Sequence, residues 1–396
     1  MAKKIWQTGA NLDAEVEAYT VGNDYLLDQR LLPYDIAASE AQARMLKKIG
    51  VTTAKELKDL EAALAEVLKL WKAGKFQIER NQEDGHTALE QFLTEKCGEA
   101  GKKIHTCRSR NDQALVMLRL FMKAEAAEME KLVKQLIAAF ETQAKRGKKI
   151  PLPGYTHTQK AMPTTVAIWL ESFANALRDQ LPFLTALRKL LNQNPLGSAS
   201  GFGIPSFPLD RNFTTRELDF AKTQENPQYC GMSRGSFEYQ FLSTLSPIFL
   251  ILARFVNDLL LFTTQEFSYF SLPVNFTTGS SIMPQKRNYD LLEIMRANTS
   301  IFFARENEIR SILTSLISGY HRDLQLTKKS LLEGIDIAKT TFSLTTKIVK
   351  NLQPNEARLK AAMSEDLFAT EKVYELVKQG IPFRQAYQQV KKEILG

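Results

Sequence analysis

A chain of 396 residues is long enough for two or three domains, or for one large helical body with appendages. With 44% hydrophobic and 24% charged residues it has an ordinary globular composition, and no run reaches about 18 apolar residues, which argues against a spanning helix. The net charge of +8 comes from scattered lysines without a basic–aromatic block, so no nucleic-acid partner is expected and an anionic small substrate explains it as well.

Residues 1–6 are basic but have no apolar stretch behind them, so no secretory signal is expected. Cys97, Cys107 and Cys230 are too widely spaced for a disulfide framework or a CxxC metal site, which fits a reducing cytoplasm. No cluster with metal-ligand spacing stands out.

Leu32-Pro33-Tyr34-Asp35 is expected to end an extended lead-in, with Asp35 capping a helix over 36–49 that Gly50 closes. Thr52 and Thr53 open a second helix over 54–71, ended near Gly74, and Glu83-Asp84-Gly85-His86 precedes a third over 89–97. From Asn111 the pattern lengthens. Leu115, Leu118, Met122, Met129, Val133, Leu136 and Phe140 fall three, four or seven apart, one apolar stripe on a helix of about nine turns that stops at Gly147. Pro163 suits the first turn of the next helix, which runs towards Asn192 with a kink at Pro182. Further helices are expected over 236–267, with a kink at Pro247, from 288 to about 316, and over 328–352. A tail after Pro354 reads as helices over 366–379 and 383–395 around Gly380-Ile381-Pro382. Little strand-period alternation is visible outside the loops.

The predicted fold is therefore mainly all-α: an elongated central bundle of five long helices (111–353) between small N-terminal (1–110) and C-terminal (354–396) domains. Helices this long bury only part of their apolar surface within one subunit, so oligomerisation through the bundle is expected.

Four polar segments lie beside the long helices. In Gly279-Ser-Ser-Ile-Met-Pro-Gln-Lys-Arg-Asn288 a glycine frees the backbone beside two hydroxyls, and Lys286 and Asn288 sit at a helix start, where N–H groups favour anions. That combination suits a carboxylate-bearing substrate that must lose a proton; a surface turn or a phosphate loop uses the same residues. His105 to Asp112 puts Arg108, Ser109, Arg110 and Asn111 at another helix start, either as a simple cap or as a site in which arginine grips a carboxylate bidentately. Pro153-Gly-Tyr-Thr-His-Thr-Gln159 holds His157, one of only four histidines, in a loop flanked by hydrogen-bonding groups; an imidazole there is either structural or an acid/base near its working pH. Tyr320-His-Arg-Asp-Leu-Gln-Leu-Thr-Lys328 reads as a charged turn between helices or as a binding segment. Leu196 to Gly201 has no Gly-Lys-Ser/Thr and is a tight connection rather than a Walker loop.

The serine segment closely resembles the Gly-Ser-Ser-x-Met-Pro-x-Lys-x-Asn loop of the fumarase/aspartase superfamily of lyases. Within that superfamily the chain, from about Tyr19 to Gln388, resembles the argininosuccinate lyases. Their His-Thr-Gly-Arg-Ser-Arg-Asn-Asp is matched with Cys107 in place of glycine, their Gly-Tyr-Thr-His-x-Gln in full, and their Tyr-Asn-Arg-Asp-Leu-Gln-x-x-Lys with His321 for asparagine.

The resemblance implies Ser280 as catalytic base, with Ser281 left open as the alternative, and His157 as acid/base or proton relay. It adds Glu293 to orient His157, and Lys286 to support the serine alkoxide. Substrate contacts are implied at Ser109, Arg110, Asn111, Thr156, Gln159, Asn288, Tyr320, Gln325 and Lys328. The implied activity is release of fumarate from argininosuccinate to give arginine, without metal or organic cofactor. The implied assembly is a cytoplasmic homotetramer with a 20-helix core and sites shared between subunits, with no membrane partner. The alternatives are another fumarate-releasing lyase, of adenylosuccinate or aspartate type, and a non-catalytic structural relative of the lens-crystallin kind.

Overall fold

Pro33 does not interrupt the first long helix. In the computed structural model, which describes residues 13–395, α1 (Ala14–Val21) is followed by α2 (Asp24–Lys48), with Pro33 inside it. An interior proline costs a helix about 3 kcal/mol. Around it, however, Leu31, Leu32 and Ile36 are all buried, at about 1.5–3 kcal/mol each, and packing wins. Asp35 is accordingly no cap but a fully buried side chain 2.7 Å from His86 Nδ1. Residues 1–6 and the expectation about a signal lie outside the described residues.

Further along, α3 (Ala54–Lys72) begins at a reciprocal Thr53/Glu56 cap. Next, α4 (Gly85–Cys97) starts four residues before the expected Leu89, because Asp84 accepts from the Thr87 N–H and caps it there. After α5 (Glu99–Lys103) comes α6 (Arg110–Arg146), 37 residues long.

Pro163 proves to lie not in a helix but in the hairpin of β1 (Pro151–Thr156) and β2 (Gln159–Thr165), where Pro153 pairs with it. Thr165 then caps α7 (Val166–Arg178), and α8 (Leu181–Leu191) follows after a break at Asp179 and Gln180. Pro182 thus stands in the first turn of a new helix rather than at a kink, a position where its missing N–H costs nothing.

The connecting region holds β3 (Gln193–Asn194), α9 (Arg211–Glu217), β4 (Lys222–Thr223) and α10 (Pro227–Ser233). The next long helix, α11 (Ser236–Phe262), keeps Pro247 inside and ends five residues before the expected 267. Then come β5 (Phe270–Ser271), β6 (Thr278–Gly279) and β7 (Arg287–Asn288), and the long helices α12 (Asp290–Leu313) and α13 (Thr327–Asn351). The tail comprises β8 (Gln353–Pro354), α14 (Glu356–Ala361), α15 (Ala369–Lys378) and α16 (Phe383–Leu395). The fold is mainly helical, as expected, and among the described residues the strands form two-stranded sheets.

Two units divide the chain. The first comprises residues up to Glu128, Phe183–Thr244 and Ala304–Ile335. Its core joins Leu32 and Ile36 of α2, Leu60, Leu64 and Val67 of α3, and Leu89 and Leu93 of α4. The second comprises Met129–Pro182, Leu245–Phe303 and residues from Asp336 on. Phe140, Trp169, Phe173 and Phe255 pack there with ring centroids 4.9 to 5.8 Å apart, and Trp169 Nε1 donates to Asp258 at 2.9 Å.

Among the described residues α11 is long and apolar enough to cross a membrane, with a mean hydropathy of 1.8 in its most apolar window, of which 44% is buried. The sequence scan missed this because Glu238, Arg254 and Asp258 break the apolar run. A buried core helix passes the same test, and Phe241, Leu245, Phe249 and Phe255 of α11 are buried.

Candidate active site

The first unit holds a cavity of about 630 Å³, within the range of about 300–1,000 Å³ usual for small-molecule sites. It brings together Ser109, Arg110 and Asn111 at the start of α6 with Tyr320, Gln325 and Lys328. A reciprocal cap fixes the helix start: the Ser109 N–H donates to Asp112 Oδ1 at 2.8 Å, and Ser109 Oγ accepts from the Asn111 N–H at 3.3 Å. The other Asp112 oxygen accepts from the N–H groups of Gly197 (3.0 Å) and Ala199 (3.1 Å). The tight 196–201 connection is thereby tied to the helix, and Ala199 and Ser200 enter the cavity wall. Burial pushes the Asp112 carboxyl up, against the pull of these N–H donors.

Arg110 is not a free guanidinium. Its Nε donates to Asp84 at 2.7 Å and its Nη2 to Glu83 at 3.1 Å, so its charge is largely answered from within the chain. Burial pushes Asp84 up, but His86 and Arg110 outweigh it and hold the carboxyl below its usual range. Gln325 Nε2 donates to the carbonyls of Thr20 and Val21, both at 3.2 Å, and so ties the end of α1 to the cavity. The Tyr320 ring lies against Gly201 and Gly231, where an added Cβ would meet it at 3.4 and 3.3 Å; burial pushes its hydroxyl up. Lys328 is buried, with Asp24 Oδ1 at 2.5 Å and Asp28 Oδ1 at 2.6 Å. Burial alone would depress its ammonium; the two carboxylates overcome that and raise it.

The remaining candidates belong to the second unit. Thr156, His157 and Gln159 form the tip of the β1–β2 hairpin and are exposed. His157 (φ 52°) and Thr158 (φ 61°) are both left-handed, the conformation of a two-residue turn normally given to Asn-Gly. The turn therefore stores about 1–2 kcal/mol per residue, at the one place where the sequence points to a catalytic imidazole.

The serine loop is the tip of a second hairpin, closed by Thr278 opposite Asn288 and Gly279 opposite Arg287. Ser280 Oγ accepts from the N–H groups of Met283 (3.1 Å) and Ile282 (3.3 Å). Lys286 is exposed, and Asn288 stands two residues before α12. Glu293, in the first turn of α12, is also exposed; among the described residues the chain makes no hydrogen bond or ion pair between it and His157.

A lyase family matches residues 11–301 of the chain. An argininosuccinate lyase of Thermotoga neapolitana is 44% identical over 390 residues, covering 98% of both chains. The chain belongs to this lyase family. A second argininosuccinate lyase, of Sorangium cellulosum, is 41% identical to this lyase over 100% of its length and 91% of the relative's. The structure of EDDS lyase in complex with formate superimposes with a TM-score of 0.81 at 26% identity, over 97% of this chain and 76% of that one. A fumarate lyase:delta crystallin from Brucella melitensis, at 18% identity, covers 96% and 88% with a TM-score of 0.79 and shares the fold.

Several residues of this lyase's cavity escaped the sequence reading as site residues: Asp24, Asp28, His86 and Arg234. His86 is 4% exposed and its Nε2 has no hydrogen-bond partner among the described residues; burial pulls its imidazole down, and Asp35, Asp84 and Asp28 more than restore it. Arg108 donates to Ser39 Oγ at 3.0 Å, and burial depresses its guanidinium. Arg108 lies in the matched 105–112 motif, whereas no matched motif marks Asp24, Asp28, His86 or Arg234; only the i, i+4 spacing of Asp24 and Asp28 could have shown that pair, and only on an unbroken helix.

Cys107 has φ 60°, a conformation in which a Cβ costs about 1–2 kcal/mol and glycine costs nothing. Cys107→Gly is expected to stabilise the protein by about 1 kcal/mol, somewhat offset by glycine's greater entropy when unfolded. A denaturant melt that moves the other way would show that the thiol's packing matters more.

Proposed function

We propose that this lyase cleaves argininosuccinate to fumarate and arginine, a step in arginine biosynthesis. The observation that carries this reading is the single cavity in which Ser109 and Asn111 meet Tyr320, Gln325 and Lys328. It offers hydroxyl, amide and cationic groups to a ligand with carboxylates at one end and an amino acid at the other. Two full-length relatives named argininosuccinate lyase support it.

In the reaction Ser280, as alkoxide, removes a proton from the carbon next to a carboxylate. The electron pair moves into that carboxylate. The Met283 and Ile282 N–H groups, aimed at Ser280 Oγ, favour its charged form, and they favour Ser280 over Ser281 as the base. Lys286, Asn288, Ser109 and Asn111 stabilise the carbanion. Its electron pair then forms the carbon–carbon double bond of fumarate as the carbon–nitrogen bond breaks. The leaving guanidino nitrogen takes a proton from His157, directly or through water, with Glu293 orienting the ring. Thr156 and Gln159 bind substrate beside it. Arg110, already paired with Asp84 and Glu83, serves to position the helix start.

The chain works as a homotetramer in the cytoplasm, with residues from different copies completing each site. Exposed Leu250 and Leu261 on α11 and Ile294 and Ile301 on α12 support association through the long helices. The three free thiols fit a reducing compartment.

Fumarate release, followed by absorbance, tests the reaction on argininosuccinate against adenylosuccinate and aspartate. Turnover of one of the latter alone would make it a different fumarate-releasing lyase; turnover of none, in a folded oligomer, would favour a crystallin-like structural role. Mixing Ser280→Ala with His157→Ala chains is expected to restore part of the activity, since some hybrid sites would carry neither substitution. Hybrids without activity would count against shared sites.

A further inference from the structure

Lys328 is held by two carboxylates rather than one. Asp24 and Asp28 stand one turn apart at the start of α2, and their Oδ1 atoms lie 2.5 and 2.6 Å from the Lys328 ammonium. All three side chains line the cavity. With both carboxylates ionised the cluster carries one net negative charge, in a place where the lysine alone would offer a positive one. Asp28 is spent: it is 0% exposed, and its other oxygen accepts from the Gly85 N–H at 3.1 Å. Asp24 is the accessible member, 11% exposed. The same cavity contains His86 Nε2, without a hydrogen-bond partner among the described residues and on a side chain 4% exposed, so this wall is built to meet a polar ligand.

We infer that Asp24 is a specificity-determining residue that receives the α-ammonium of the substrate's amino-acid end, while the Lys328 ammonium beside it receives the α-carboxylate. A zwitterion matches the pair charge for charge. A ligand with the carboxylate alone leaves Asp24 unanswered in a buried setting, and a buried unpaired charge is costly. The inference rests on the argininosuccinate reading for its substrate, but the recognition it describes can be measured on arginine alone.

Burial pushes the Asp24 carboxyl up to about 6, with Asp28 adding to the rise and Lys328 and Arg234 opposing it. These three are the charged groups that face it, from α2, α13 and the end of α10. Asp24 is therefore ionised above that pH, and ammonium recognition weakens as the pH falls through it.

The test uses the purified full-length protein and two ligands, arginine and desaminoarginine, which lacks only the α-amino group. Calorimetry on the wild type is expected to show arginine binding about tenfold or more tighter than desaminoarginine. Asp24→Asn should weaken arginine by about tenfold without weakening desaminoarginine, which binds as well as or better than before once the unanswered carboxylate is gone; its retained binding also shows that the variant is folded. In turnover, the KM for argininosuccinate should rise by a similar factor while kcat stays within about threefold. The rise of KM below about pH 6 should flatten in the variant, and Asp24→Glu should restore part of the preference. Equal affinity of the wild type for the two ligands, or equal weakening of both by Asp24→Asn, would overturn the assignment. A wild type that binds arginine with this preference but does not turn over argininosuccinate would overturn the reaction and leave the subsite standing.

Discussion

Ser280→Ala is expected to lower fumarate release from argininosuccinate by about a thousandfold or more, the scale of losing a positioned base. Arginine binding should be unchanged. The reason is local. Ser280 Oγ is the atom at which the Met283 and Ile282 N–H groups converge, at 3.1 and 3.3 Å. A hydroxyl is a poor base near neutral pH, and N–H groups aimed at its oxygen favour the ionised form before substrate arrives. Alanine removes the oxygen and leaves those donors to water, which the half-exposed loop admits. The hairpin itself, closed by Thr278 and Asn288 and by Gly279 and Arg287, does not depend on the hydroxyl, so the melting midpoint should barely move. Ser281→Ala, lacking a comparable donor pair, should stay within about threefold of wild type. The opposite ranking of the two variants would make Ser281 the base and the N–H pair a simple turn device.

The sequence showed the long helices because their apolar spacing repeats over many turns, and it showed the four polar segments because each interrupts that repeat. It misled where a local rule met a tertiary demand. Pro33 reads as a break, yet burial of Leu31, Leu32 and Ile36 holds α2 together through it. That one error also hid Asp24 and Asp28, whose one-turn spacing means something only on a continuous helix. Pro163 carries no mark that separates a helix start from a strand, and its pairing with Pro153 across a hairpin is a long-range fact. The left-handed geometry of Cys107 and Thr158 was likewise not legible, since neither residue type favours it. The resemblance couples His157 with Glu293, yet among the described residues no hydrogen bond or ion pair joins the two within the chain; a resemblance assigns roles without giving geometry.

Arg119 was hidden in the α6 apolar stripe, and it gives the largest expected effect on stability. Its side chain is fully buried, and its guanidinium donates to the Gln193 carbonyl (2.9 Å), Ser233 Oγ (2.9 Å) and Gln224 Oε1 (3.3 Å). Its charge lies 4.1 Å from the centre of the Phe237 ring. Burial pulls the guanidinium down to about 10, with Glu238 opposing the fall, so it is still protonated at neutral pH. Arg119→Met keeps the length and removes every donor. The Gln193 carbonyl and Gln224 amide oxygen then lose this partner in a dry setting, and buried Glu238 is left, among the described residues, with Arg234 at 3.1 Å to answer its charge. Breaking a buried charged network from one side costs about 3–5 kcal/mol, a large part of a typical domain's stability of about 5–15 kcal/mol. The denaturant midpoint should fall accordingly. Arg119→Lys should recover only part of the loss, because an ammonium cannot span three acceptors set out for a planar fork. Glu238→Gln alone separates the contributions: if Arg119→Met costs the same in that background, the penalty lies in the orphaned carbonyl and amide; if it shrinks by more than half, it lies in the unanswered carboxylate.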